Sequence, residues 1–399
     1  MATALCVIEA GALERFDGYL EQVGATGKRC VVYDTNTYNI PQLRRPGADQ
    51  EIVLPAQGLH ADEKATARVL AELDPDIRVL VAVGSGTIHD TTRYCAKEKG
   101  IPFISVPTAA SCDAFCSTVA AMTWYGFKKT LPGVAPLLVV ADIDVIAAAP
   151  WYLTLSGVGD MLGKFTALAD WKISQAVTGE EVCPVIYGMM KQAVEDIWNH
   201  RQGLLEKSPE ACEAVIYGLL MSGLAMQLMG NSRPASGAEH HISHFIEVEP
   251  AVLGLKSAAL HGEKVGVGTV LASREYHRLV QREDIAGQIA PYAAVPDERM
   301  LEIFGSRLCD ACIEENQNDC LARVTPEKLE KAWPEVRKLV AEIPTGEEVY
   351  DFLEALGAKR DLADIEVPEE ALPTLLDCSP LIRNRLTLMR MRRMLPQKK

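Results

Sequence analysis

The histidines of this chain are concentrated in one place. There are eight in 399 residues, yet His240, His241 and His244 fall within "GAEHHISHFIE" (237–247) and His261 follows in "ALHGEKVGVGT". Imidazole titrates near neutrality, so it can move protons, and its neutral form is the commonest nitrogen ligand of metals. His240 and His244 are four apart and would share a face of a helix, whereas His241 is turned away by about 100°. Asp160, in "SGVGDMLGKF", is expected at a helix start, exposed, as an N-cap or as the i,i+4 partner of Lys164. A carboxylate with two imidazoles leaves a divalent cation an open coordination position, as a catalytic metal requires.

Two further stretches suit contact with an anion. "VAVGSGTIHD" (81–90) reads as a buried strand running into a glycine turn and a helix. Gly84 and Gly86 would let the backbone approach a ligand, and a helix N-terminus favours a pyrophosphate. A plain strand–helix turn fits the same pattern. "PTAASCDAFCS" (107–117) ends the next strand in small and hydroxyl residues. The two loops together suggest a nucleotide site. Asp34, closing "RCVVYD", would accept hydrogen bonds from a ribose or simply form an Asx turn before Thr35.

The elements that position these residues change character near residue 150. Before it, "RCVVYD" (29–34), "EIVLP" (51–55), "IRVLVAVG" (77–84), "PFISVPT" (102–108) and "PLLVVAD" (136–142) are β-branched runs. Amphipathic segments such as "ADEKATARVLAEL" and "HDTTRYCAKEKG" lie between several of them, which predicts βαβ units and a parallel sheet. After Pro150 the pattern is long helical runs. The expectation is a Rossmann-like α/β domain over 1–150 and an all-helical domain over 151–399. The tail "IRNRLTLMRMRRML" is expected to form a last helix with a solvated arginine face.

Composition narrows the function classes. Net charge is −14 with 48% hydrophobic and 24% charged residues, which argues against nucleic acid or an anionic membrane as partner. No basic, apolar leader opens the chain, and "VAPLLVVADIDVIAAAP" is too short and too polar to span a bilayer. Eleven cysteines at scattered spacings argue against a disulfide framework, and Cys309, Cys312 and Cys320 lack a fourth ligand at zinc-finger spacing. The chain reads as a cytoplasmic protein with reduced thiols.

"GSGTIHD", "PTAAS-D---S", "GVGDMLGK" with "ADWK", "RPASGAEHHISH" and "LHGEKVGVGT" together resemble the glycerol-1-phosphate dehydrogenases. These belong to a superfamily with the iron-type alcohol dehydrogenases, glycerol dehydrogenases and dehydroquinate synthases. The resemblance runs in order over roughly residues 30–275. It implies a dehydroquinate synthase-like fold and a cytoplasmic homodimer of phospholipid metabolism. The implied reaction is the reversible, metal-dependent NAD(P)H reduction of dihydroxyacetone phosphate to sn-glycerol 1-phosphate.

By that resemblance Asp160, His240 and His261 match the metal ligands, with zinc, nickel or iron as the ion, and Asp160 also lies at the substrate. His244 and Asp113 match residues that touch substrate and act in catalysis. Thr108 and Ser117 match cofactor contacts, and with Gly84, Ser85, Gly86, Thr87, Asp90, Ala109, Ser111 and Asp34 from the loops and strand end read above they make up the expected site for NAD or NADP. Cys112, Ala114 and Cys116 depart from the residues the resemblance leads one to expect in their loop. Arg233, Lys164, Lys128 and Lys129 are candidate cations for the substrate phosphate. A glycerol dehydrogenase, a dehydroquinate synthase-like carbon–oxygen lyase and a catalytically inactive nucleotide-binding module are the alternatives.

Overall fold

The computed structural model describes residues 2–125 and 127–395, without the side chains of Phe127 and Lys128; the candidate cation Lys128 therefore lies outside the described side chains. Among the described residues eight strands occur: β1 (Leu5–Glu9), β2 (Arg29–Asp34), β3 (Gln50–Leu54), β4 (Val79–Gly84), β5 (Phe103–Pro107), β6 (Val119–Trp124), β7 (Phe127–Pro132) and β8 (Leu138–Asp142). Six form one sheet in the order β1-β8-β5-β4-β2-β3, and every pairing in it is parallel. The sequence runs with the strongest β-branched content are the ones that pair. Strands β4, β5 and β8 are buried along their whole length, as parallel strands covered on both faces must be.

Side chains alternate between the faces with the period of a strand. Val31, Tyr33, Val79, Val81, Val83 and Val140 form part of one core; Cys30, Val32, Leu80, Ala82 and Phe103 form part of the other. β1 and the antiparallel hairpin β6–β7 were not anticipated. "LCVIE" is half-buried at the sheet edge, and it gains its partner only from β8, more than a hundred residues later. The chain order reverses between β2 and β4, so the carboxyl ends of those strands flank the switch point where such sheets bind ligands.

Five helices carry the rest of the argument: α1 (Gly86–Lys99), α2 (Trp151–Thr178), α3 (Pro209–Met229), α4 (Ala238–Glu247) and α5 (His261–Val280). Two compact units result, Met1–Val158 with Glu195–Asn231 and Gly159–Val194 with Ser232–Lys399, the division falling inside α2. The first holds the sheet and α3; the second is helical. Among the described residues, α3 alone is long and apolar enough to cross a membrane, and half of its apolar window is buried. A Cβ on its Gly223 would meet the Cβ of Cys116 at 2.6 Å, so α3 packs tightly on the 113–116 turn.

The tail is not one helix. A 3-10 turn (Ser379–Ile382) leads through extended residues to a four-residue helix (Leu388–Met391) and a second turn (Arg392–Met394). The reason is Arg390, which is wholly buried rather than solvated. Its guanidinium pairs with Asp319 and reaches the Asn316 side chain and the carbonyls of Pro380 and Arg383. A buried guanidinium needs acceptors in several directions, and a continuing helix would leave those carbonyls in its own ladder.

Candidate active site

In the sheet unit, the end of β4 and the start of α1 form the first loop. Ser85 is the residue before α1, with extended backbone, and its hydroxyl lies 2.6 Å from that of Ser111. Thr108 donates its backbone N–H to the Gly84 carbonyl at 3.0 Å. Gly84, Ser85, Gly86 and Thr87 are thus brought against Thr108, Ala109 and Ser111 as one small-residue surface. A Cβ on Gly84 would lie 2.8 Å from that of Ile88, which is why glycine ends the strand. Asp34, at the end of adjacent β2, caps a short helix by accepting from the backbone N–H of Asn36 and Thr37, both at 2.8 Å.

A buried arginine that the motif reading passed over organises the second loop. Arg93, fully buried on α1, pairs with Asp90 at 3.0 Å. It also donates to the carbonyls of Ala114, Phe115 and Val119. Its signal was in the sequence, as the i+3 partner of Asp90 in "HDTTRY". Within that loop Asp113 accepts from the Ser222 hydroxyl of α3 at 2.7 Å, and Ser117 closes a local turn on Val119.

In the helical unit the structure brings Asp160, His240 and His261 together: one donor atom from each lies within 4.8 Å of the others. Asp160 is neither exposed nor at a helix start. It sits in the middle of the 28-residue α2 and has no solvent exposure. The preceding glycines serve close packing instead, since a Cβ on Gly159 would lie 2.3 Å from the Gly262 carbonyl oxygen. His240 Nε2 is 3.4 Å from Asp160 Oδ1, and Lys164 Nζ is 2.9 Å from the same oxygen. Burial acts to raise the Asp160 pKa, but the Lys164 ammonium and the two imidazoles outweigh it and hold the carboxyl well below its usual range.

His244, one turn beyond His240, completes a ring of imidazoles. Its centroid is 5.8 Å from that of His240 and 5.6 Å from that of His261, which it stacks upon. Its Nδ1 is buried and has no protein hydrogen-bond partner. Burial pushes its pKa well below the ordinary value, against the pull of the Glu247 carboxylate and with His261, His240 and Arg383 adding to the lowering. His241 points away as its helical position requires and takes no part in the donor set. Of the candidate phosphate cations, Lys164 is held by Asp160, Arg233 is bidentate to Glu180 at 3.0 Å, and Lys129 is exposed on β7.

Carboxylates around the cluster, buried or half-buried, went unremarked in the sequence, although two stand in the histidine stretch itself. Glu239 accepts from His240 Nδ1 at 2.7 Å, and Glu247 faces His261 Nδ1 at 2.9 Å. Asp170 of "ADWK" accepts from Tyr276, Ala238 N–H and Leu388 N–H and ties α2 to α4, α5 and the tail. Burial, with Glu239 adding, pushes its carboxyl up to about 7.

The donor set meets the needs of a divalent ion: one carboxylate, two imidazoles, little solvent, and atoms close enough to converge on metal–ligand bonds of about 2 Å with small side-chain shifts. The unpartnered Nδ1 of His244 beside it marks a polar group that awaits a ligand.

The chain is similar to known proteins over most of its length. Residues 7–150 match the family model for iron-containing alcohol dehydrogenase. Glycerol-1-phosphate dehydrogenase [NAD(P)+] of Bacillus licheniformis is 31% identical over 90% of this chain and 81% of its own. The enzyme of the same description from Halalkalibacterium halodurans is 32% identical over 90% of this chain and 84% of its own. A probable glycerol dehydrogenase from Sinorhizobium meliloti superposes with TM-score 0.63 at 19% identity, over 100% of this chain and 93% of the other, which shows a common fold. The chain belongs to the glycerol-1-phosphate dehydrogenase family.

Proposed function

We propose that this protein reduces dihydroxyacetone phosphate to sn-glycerol 1-phosphate with NAD(P)H, reversibly, at a divalent metal held by Asp160, His240 and His261. The convergence of those three donors in the helical unit carries the reading, and the family relationship supports it. The bound metal supplies electrophilic polarisation of the substrate carbonyl. Zinc, nickel and iron(II) all suit one carboxylate and two imidazoles.

The chain's own residues do the rest. Gly84, Ser85, Gly86 and Thr87 receive the cofactor pyrophosphate at the start of α1, where backbone N–H groups and the helix dipole favour an anion. Thr108, Ala109, Ser111 and Ser117 line the cofactor; Asp90 acts through Arg93 to hold that loop, and Asp34 meets the ribose. Asp113, steadied by Ser222, holds a substrate hydroxyl. Hydride addition at C2 requires a proton at the former carbonyl oxygen. His244 relays it, taking one at one ring nitrogen as it gives one at the other.

His240→Ala tests the assignment. The variant is expected to lose metal and at least a thousandfold of its activity while binding NAD(P)H as the parent does. A metal-free His240→Ala enzyme with parental activity would overturn it.

A further inference from the structure

Each histidine of the metal set has its own carboxylate, and both carboxylates belong to one helix. Glu239 opens the first turn of α4 and Glu247 is its last residue. Glu239 accepts from His240 Nδ1 at 2.7 Å and Glu247 from His261 Nδ1 at 2.9 Å. An ionised carboxylate offers acceptors only, so each contact requires a proton on Nδ1, and the neutral, ligating form of either ring then carries its lone pair on Nε2. For His240, Nε2 is the nitrogen that faces Asp160.

We propose that Glu239 and Glu247 are positioning residues that fix the tautomer and ring orientation of His240 and His261, so that both present Nε2 to a cation at Asp160. This rests on the metal reading above.

Glu239 is built into its place. It has no solvent exposure, and its remaining acceptor sites take the Gly237 N–H at 2.6 Å and the Thr166 hydroxyl at 2.5 Å. A Cβ on Gly163 would lie 3.0 Å from its Cγ, and one on Gly268 would lie 2.6 Å from its carbonyl oxygen. The three donors hold the carboxylate toward His240, Gly237 and Thr166. Glu247 is balanced by Lys264, whose Nζ is 3.7 Å away. A carboxylate behind a ligating imidazole raises its basicity and removes the alternative tautomer, and losing such a partner costs about 10–100-fold in metal affinity. In the rival arrangement Glu247 would itself ligate with His244 and His261, whose donor atoms also lie within 4.8 Å of one another.

Two measurements on the full-length protein decide. The first is long-range proton–nitrogen NMR of the metal-free protein carrying 15N-histidine, with His240→Gln and His261→Gln used for assignment. Both rings are expected to carry a proton on Nδ1, whether neutral or doubly protonated; a neutral ring protonated on Nε2 alone at either position would overturn the proposal. The second is zinc affinity, by competition with a chelating dye. Glu239→Gln and Glu247→Gln, which keep volume and an acceptor oxygen, are each expected to bind zinc about 10–100-fold more weakly, with His244→Asn unchanged. Parental affinity in the glutamine variants, or a loss in His244→Asn as large as in Glu247→Gln, would overturn it. A parent protein that takes up neither zinc nor nickel would instead overturn the metal reading.

Discussion

His89 shows how far a single buried side chain can set the pH response of the sheet unit. It lies on α1 with no exposure, its Nδ1 on the Ser85 carbonyl at 2.9 Å and its Nε2 on the Ser105 hydroxyl at 2.8 Å. Burial pushes its pKa down to about 3, against about 6.5 in the unfolded chain. Between those values the unfolded chain binds a proton that the folded protein refuses, so stability is complete above about pH 6.5 and falls as the pH drops toward 3. The whole effect is on the order of 5 kcal/mol. Unfolding followed from pH 7 to pH 4 should show most of this loss, and His89→Gln, which does not titrate, should flatten it. An unchanged acid slope in the variant would remove His89 from the account. The residue-scale signals most open to reading in the sequence were those with rare types at telling spacing. His240 and His244 announced themselves by number, whereas Glu239, Glu247 and Arg93 looked like ordinary charged residues because only burial distinguishes them.

At the scale of elements, the glycines of "SGVGDMLGK" and "GEKVGVGT" act as points of contact between backbones. Gly157 and Gly268 both lie inside helices, where alanine would ordinarily gain about 1 kcal/mol. Here the contacts reverse the sign. A Cβ on Gly157 would stand 2.1 Å from the Ala110 carbonyl oxygen, and one on Gly268 2.6 Å from that of Glu239. Each alanine should therefore destabilise by about 1–3 kcal/mol. The consequences should differ: Gly157→Ala disturbs the cofactor loop and raises KM for NAD(P)H, and Gly268→Ala shifts α4 and weakens metal binding. Melting temperatures at or above the parent's would contradict this. The same packing explains where sequence reading failed. A Gly–Val–Gly–Asp run suggests a helix start, but the glycines are there because α2 is crossed closely along its length, and Asp160 is carried in mid-helix. The tail failed likewise, since amphipathic spacing predicts a helix but cannot foresee that Arg390 is enclosed by acceptors. The interior strands β2, β4, β5 and β8, by contrast, were legible because strands covered on both faces are continuous apolar, β-branched runs, and edge strand β3 was legible from its short run "EIVLP".

For the molecule as a whole, the chain forms two compact units, one holding the 84–87 and 108–117 loops and the other Asp160, His240 and His261; on the proposed function the first takes the nucleotide and the second the metal. Ligands that bind only the folded state stabilise it by RT ln(1 + [L]/Kd), about 2.7 kcal/mol at a hundredfold excess over Kd. Hydrogen exchange should resolve the two contributions. NAD(P)H should slow amides over 84–90 and 108–117, and zinc those over 160–164 and 238–247. Protection of the first set by zinc alone would count against the division. The central claim is metal-dependent reduction of a phosphorylated ketone, and the absorbance of NADH or NADPH at 340 nm tests it most directly. Purified protein with zinc or nickel should oxidise the cofactor when dihydroxyacetone phosphate is added, cease after EDTA, and resume when metal is restored. The product should resist a stereospecific sn-glycerol-3-phosphate dehydrogenase. Oxidation that ignores EDTA, or that proceeds with dihydroxyacetone but not with its phosphate, would contradict the account.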